Sequence, residues 1–186
     1  MKSMKQIVYA LTIVLLLPAT YLAGESNDKT RARKEAVLLT KQIEIASRKI
    51  HDESAHLSAM HRNTRISNRS HQYKLQSIAN QVNEQLRPAL TRLDAIQPDL
   101  PQWNQQAVER MRLAASTIAF NANEAVLNRN QAGSSLPVSF DKDYRHLVEN
   151  ISSHAEILTQ VADATVDYGT AQLKGQQAGL PIALHD

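Results

Sequence analysis

The sequence predicts an all-α fold: an antiparallel up-down-up-down four-helix bundle that follows an N-terminal signal or anchor segment. Three observations carry this. Apolar residues recur in alternating steps of three and four, the spacing of a stripe buried along one helix face. The stretches that show it are rich in Ala, Leu, Gln, Glu, Arg and Lys, all good helix formers, and the five glycines stand apart at 24, 133, 169, 175 and 179. No segment sustains the period-two alternation of a half-buried strand.

The chain has 186 residues, enough for one domain with its own core. It opens "MKSMKQIVYALTIVLLLPATYLAGES", in which Lys2 and Lys5 precede an apolar run from Ile7 to Leu17 broken only by Thr12. That is the order of an export signal. The cleavage site is poorly formed, because a cut after Ala23 places Tyr21 where a small residue is wanted. The 17 residues from Ile7 to Ala23 stand at the lower limit for a membrane span. Residues 1–23 are therefore either a removed signal or a retained anchor, the latter tethering the protein to the inner membrane through residues 7–23. In both cases the lysines ahead of the apolar run direct the remainder across the membrane, so the expected location is periplasmic or secreted. The bundle itself is expected over 24–175, with 176–186 as a loose tail.

Cysteine is absent. This removes disulfides, thiolate metal sites, a thiol nucleophile, covalent haem attachment and a lipoprotein cysteine. The net charge of +3 conceals an asymmetry: residues 29–74 carry eleven Lys or Arg against four Asp or Glu, whereas residues 140–186 carry three against seven. A basic first helix beside an acidic last helix accounts for this, and so does a basic surface that recruits an anionic partner.

The first helix is expected from Asn27 to His61, with Ala36, Leu39, Ile43, Ala46, Ile50, Glu53, Leu57 and Met60 on its inner stripe. "HRNTRISNRSHQ", 61–72, loses the pattern and reads as a polar turn. A second helix carries Leu75, Ile78, Val82, Leu86, Ala89, Leu93 and Ile96. Pro88 inside it predicts a kink near Gln85, because proline lacks a backbone donor and crowds the preceding turn. Pro98 and Pro101 end it. A third helix from about Gln102 places Ala107, Met111, Ala114, Ile118, Ala122, Ala125 and Arg129 inward. The loop 131–139 follows, with Ser139 as its expected helix cap. The fourth helix has Tyr144, Leu147, Ile151, His154, Leu158, Val161, Thr165 and Tyr168 on its stripe. Short connections between helices each about 45 Å long favour antiparallel neighbours.

Candidate chemistry is sparse. Glu53-Ser-Ala-His56 has the Glu-x-x-His spacing of di-iron bundles, and Asp143-Tyr-Arg-His146 supplies an aspartate version. His146 falls on the outer face, however, and the second helix offers no carboxylate at that height, so no metal site is expected. His51, His56 and His61 are five apart and scatter around the helix. No cofactor is predicted. Glu53 and His154 both fall on inner stripes at similar height, which predicts a buried polar pair, because an unpaired buried carboxylate is costly. No Ser-His-Asp order or glycine-rich phosphate loop is present, so the chain is not expected to be an enzyme.

The turn 61–74 concentrates Arg62, Arg65, Arg69 and Lys74, a basic tip suited to an anionic protein partner. Nucleic acid is not an expected partner for an exported chain. Together these features predict a non-enzymatic, exported helical bundle that acts as an interaction or structural module of the cell envelope. The alternative is a bundle binding a small ligand, haem or metal in its core, with Glu53 and His154 lining the site. A further alternative is self-association through the regular stripe of the first helix.

Overall fold

The computed structural model describes residues 4–61, 63, 66–132 and 141–177, with side chains over 28–61, 63, 66–131 and 141–175. The described chain is helical, with no strand among the described residues. The elements are α1 (Met4–His61), α2 (Asn68–Gln81), a π turn (Val82–Leu86), α3 (Arg87–Ile96), a 3₁₀ turn (Gln97–Asp99), α4 (Gln102–Ala132) and α5 (Lys142–Gln177). The polar turn is shorter than its sequence suggests. Ser67 caps α2, its hydroxyl accepting the Ser70 amide at 3.3 Å, so helix resumes before His71. The expected signal or anchor, 1–23, and the expected tail, 176–186, lie outside the residues whose side chains are described. Among the described residues no helix is long and apolar enough to cross a membrane.

Pro88 does not kink an α-helix; it follows a π turn. The Arg87 amide donates to the carbonyl of Val82, five residues back, and Pro88 then occupies the first turn of α3. A proline at that position has no amide to satisfy, so the wide turn removes the clash that an uninterrupted α-helix would suffer. Helix is continuous across the turn, and α2 and α3 form one rod. Four rods result. α1 packs on α5 and, along its other side, on the α2–α3 rod; α4 packs on the same two neighbours.

The core is aliphatic along its length, with Ile43, Ile50, Leu57, Leu75, Ile78, Leu86, Leu93, Met111, Ile118, Ile151 and Leu158 all fully buried. The stripes of α1 and α4 are those expected. The α1 stripe is buried inside the bundle. In the α5 stripe Tyr144, Ile151, Leu158 and Thr165 are buried as expected, but the positions between them move on by one. Tyr144, Val148, Ile151, Ala155, Leu158, Ala162, Thr165 and Gly169 are buried, whereas Leu147, His154 and Val161 sit at the stripe's edge and Tyr168 is exposed. Small residues at 155, 162 and 169 let α1 approach closely. Thr159 Oγ1 donates to Ser47 Oγ at 2.8 Å across this contact, and a Cβ added at Gly169 would stand 2.8 Å from Val37 Cγ2.

Candidate functional site

The least ordinary chemistry lies at the end of the bundle where α1 and α4 finish and α2 and α5 begin. Arg129 is in the last turn of α4 and wholly buried, with none of its side chain exposed. Its inward position follows from the stripe Met111, Ala114, Ile118, Ala122 and Ala125, all buried one side of the same helix. A buried guanidinium must be neutralised. Asp141, just ahead of α5, does this: its Oδ2 accepts from Arg129 Nη2, while its Oδ1 accepts the Tyr144 amide at 2.9 Å. Asp141 is thus both counter-ion and helix cap. Ser139, the cap expected from sequence, lies outside the described residues. Asn128 Oδ1 accepts from Arg129 Nε at 2.9 Å and Nη2 at 2.7 Å.

Two histidines complete the cluster. Tyr144 lies beneath the guanidinium, with its ring centre 4.7 Å from Arg129 Cζ. Its hydroxyl is hydrogen-bonded to His71 Nδ1 at 3.1 Å. The His71 ring stands edge-on to it at 5.6 Å, and the His61 ring lies tilted at 6.1 Å. Burial, reinforced by neighbouring His61 and Arg129, holds the His71 pKa down to about 4. His61 is lowered too, first by burial and then by Arg145. Burial pushes the Tyr144 phenol well above its ordinary range. At neutral pH the cluster therefore contains two neutral imidazoles, an intact phenol and one compensated ion pair. Every rod contributes a member.

Around this cluster the surface carries the basic tip. Arg69 is exposed and Lys74 half-buried; Arg62 and Arg65 lie outside the described residues. The tip segment is fastened to α4 by Asn68 Nδ2 donating to the Arg129 carbonyl at 3.4 Å and by Gln72 Nε2 donating to Asn130 Oδ1 at 3.1 Å.

Comparison of the chain with protein-family models, with curated proteins and with solved structures finds no match. The site must be read from its own chemistry.

The predicted pair of Glu53 and His154 does not form. Glu53 Oε1 accepts from Ser77 Oγ of α2 at 2.8 Å, and His154 Nδ1 lies 2.9 Å from the Asn150 carbonyl one turn back on its own helix. The displaced α5 stripe is the reason: Ala155 occupies the inward position, and the histidine that reaches across from α1 to α5 is His51, with Nδ1 3.2 Å from the Ser152 carbonyl. The two Glu-x-x-His-like motifs also stay apart from any core, for His56, Asp143 and His146 are exposed. No cluster of three or more metal-ligating side chains occurs among the described residues.

Sequence reasoning placed Arg129 and Tyr144 on inner stripes but did not join them, and passed over His61, His71 and Asp141 as partners. One signal was available. An arginine in an apolar stripe demands a counter-ion, and Asp141 is the first acidic residue after it in the chain.

Proposed function

We propose that this chain is an exported, non-enzymatic helical-bundle protein of the cell envelope, an interaction or structural module whose four rods run up-down-up-down. The rod order is supported by pairs that join the end of one rod to the start of the next. Arg129 stacks on Tyr144, whereas Trp103, near the start of α4, meets Tyr168, near the end of α5, at 4.4 Å. Glu53 bonds Ser77 of α2, while Glu35, earlier in α1, pairs with Arg92 of α3 at 2.5 Å. Export is supported by the basic-then-apolar order of residues 2–17.

The observation that carries the functional reading is the anchoring of the basic tip on the Arg129–Tyr144–His71 cluster. Arg69 and Lys74 sit on a helix whose first turn is fastened to α4 and α5 by buried side-chain contacts, so their charges are presented on a fixed platform. A preorganised basic surface loses little conformational entropy on meeting an anionic partner. The partner class is a protein or envelope surface bearing negative charge.

The test is retention of the full chain on isolated envelope fractions across a salt series, with Arg62, Arg65, Arg69 and Lys74 replaced by Ser in the variant. Rising salt should release the wild type, and the variant should not be retained even at low salt. Equal retention of both sinks the reading.

A further inference from the structure

The tip leaves unexplained a second feature, the outward face of α4. Leu113, Phe120 and Leu127 stand seven residues apart on this helix and are 64%, 64% and 43% exposed. Seven-residue spacing keeps them on one face with only about 20° of drift per step. Leu127 lines a groove shared with Asn150 of α5, which fixes the face as the one adjoining α5. Ile157 is seven residues beyond Asn150 on α5 and 44% exposed, so it borders the same surface. These four apolar side chains share one side of the molecule.

Its charge is as unusual as its greasiness. From Leu113 to Gln131 the only charged side chain of α4 besides the buried Arg129 is Glu124. The outer face of α1 makes the contrast. Leu38 and Ile45 are exposed there at 67% and 59%, but Lys34, Lys41 and Lys49 surround them. Depletion of charge at an apolar centre is the compositional mark of a protein interface.

We propose that the α4–α5 face binds a second copy of this chain across a twofold axis through Phe120. The spacing is its own mirror image: seven residues separate Leu113 from Phe120, and seven separate Phe120 from Leu127. Two α4 helices crossing head to tail about Phe120 bring each Leu113 against Leu127 of the second copy and Phe120 against its own equivalent. An isologous interface requires this self-complementarity. The charge pattern selects the direction. Head-to-tail pairing sets Glu124 beside Ser116 and Thr117 of the second copy, whereas parallel pairing stacks Glu124 on Glu124. The area suffices. The charge-poor stretch from Leu113 to Gln131 is about 27 Å long, and over that length two adjacent helices each about 10 Å across offer roughly 540 Å² per copy, or about 1,080 Å² in total, against the roughly 1,000 Å² that a specific interface should clear. This surface is separate from the basic tip, and the proposal does not depend on the tip's role.

Because the chain contains no cysteine, single introduced thiols report the geometry in the full-length protein. Under mild oxidation Phe120→Cys should yield a disulfide-linked dimer. Leu113→Cys alone and Leu127→Cys alone should not, and the Leu113→Cys/Leu127→Cys double variant should. Sedimentation of otherwise unmodified protein should show a dimer, and Phe120→Glu should render it monomeric with its helical circular dichroism retained, since residue 120 is exposed on the single bundle; its melting temperature should lose the dependence on protein concentration that dimerisation gives the wild type. A monomeric wild type overturns the proposal. So does a Phe120→Cys chain that fails to cross-link, or a Leu113→Cys chain that cross-links as readily, which would report parallel or merely collisional contact.

Discussion

Arg129 lies over the Tyr144 ring inside the bundle, the guanidinium carbon 4.7 Å from the ring centre. The two residues lie on different helices, fifteen positions apart in the chain. Their contact converts the meeting of α4 and α5 into a fixed joint, and Asp141 and His71 extend it to the loop and to α2. The charge at its centre is offset by Asp141 and by the face of the Tyr144 ring.

Removing the guanidinium should therefore be severe. Arg129→Ala strands Asp141 without its partner, takes the cation from the Tyr144 face and opens a cavity. Loss of one member of a buried ion pair costs about 3–5 kcal/mol, and we expect a destabilisation in that range by denaturant unfolding. Adding Asp141→Asn should recover part of it, because the orphaned charge is then gone. Simple additivity of the two substitutions would show that the pair is not coupled.

Stability should depend on pH through the two histidines. The His71 pKa is about 4 in the folded chain, below the ordinary value of about 6.5 that the unfolded chain retains. Between those values the unfolded state binds more protons, so stability is complete above the unfolded pKa and is lost as pH falls through the window. His61, lowered in the same direction, adds to the slope. Each titrating group contributes at most ~1.4 kcal/mol per pH unit. Replacing His71 with Phe should flatten the unfolding free energy between pH 6.5 and about 4, leaving a shallower slope from His61. An unchanged slope would mean that His71 does not carry the effect. The facing charges are Arg129, Asp141, Arg145 and Glu149.

Gly169 tests the close approach of α1 and α5. In an exposed helix Gly→Ala gains about 1 kcal/mol of propensity. Here the added methyl would lie 2.8 Å from Val37 Cγ2, and overpacking of a tight contact costs about 1–3 kcal/mol. Packing should win, so Gly169→Ala is expected to destabilise by ~1 kcal/mol net. In a Val37→Ala background the same substitution should turn neutral or stabilising. Thermal melts of the four chains of this cycle decide the matter, and stabilisation by Gly169→Ala alone would refute the close contact.

Pro88 makes a quieter prediction. Proline inside an α-helix costs ~3 kcal/mol, yet here the π turn precedes it and no ladder bond is demanded of its nitrogen. Pro88→Ala should then change stability by less than ~1 kcal/mol. A gain near 3 kcal/mol would show that the proline, not the packing of Val82 and Leu86, imposes the turn.

Much of this architecture is readable in the one-dimensional pattern. Three-four spacing announced the rods, Pro98 with Pro101 closed the second of them, and the stripes of α1 and α4 match the buried residues almost position for position. Such features are local: spacing along a helix needs no knowledge of its neighbours. The α5 stripe was not local. Its larger apolar residues, Leu147, Val161 and Tyr168, point to one face, but Ala155, Ala162 and Gly169 admit a closer neighbour and so define another. That choice depends on how near α1 can come, and it separated His154 from Glu53.

The polar cluster divides in the same way. Composition and spacing required Arg129 to face inward and Tyr144 to be buried, since both fall on apolar stripes. That His61 and His71 would close around them was settled by the relative height of four rods, which follows from loop geometry and from packing summed over the whole core. A linear pattern states which face of each helix is greasy; it carries no measure of how far one helix slides along the next, and buried charges find their partners through that displacement.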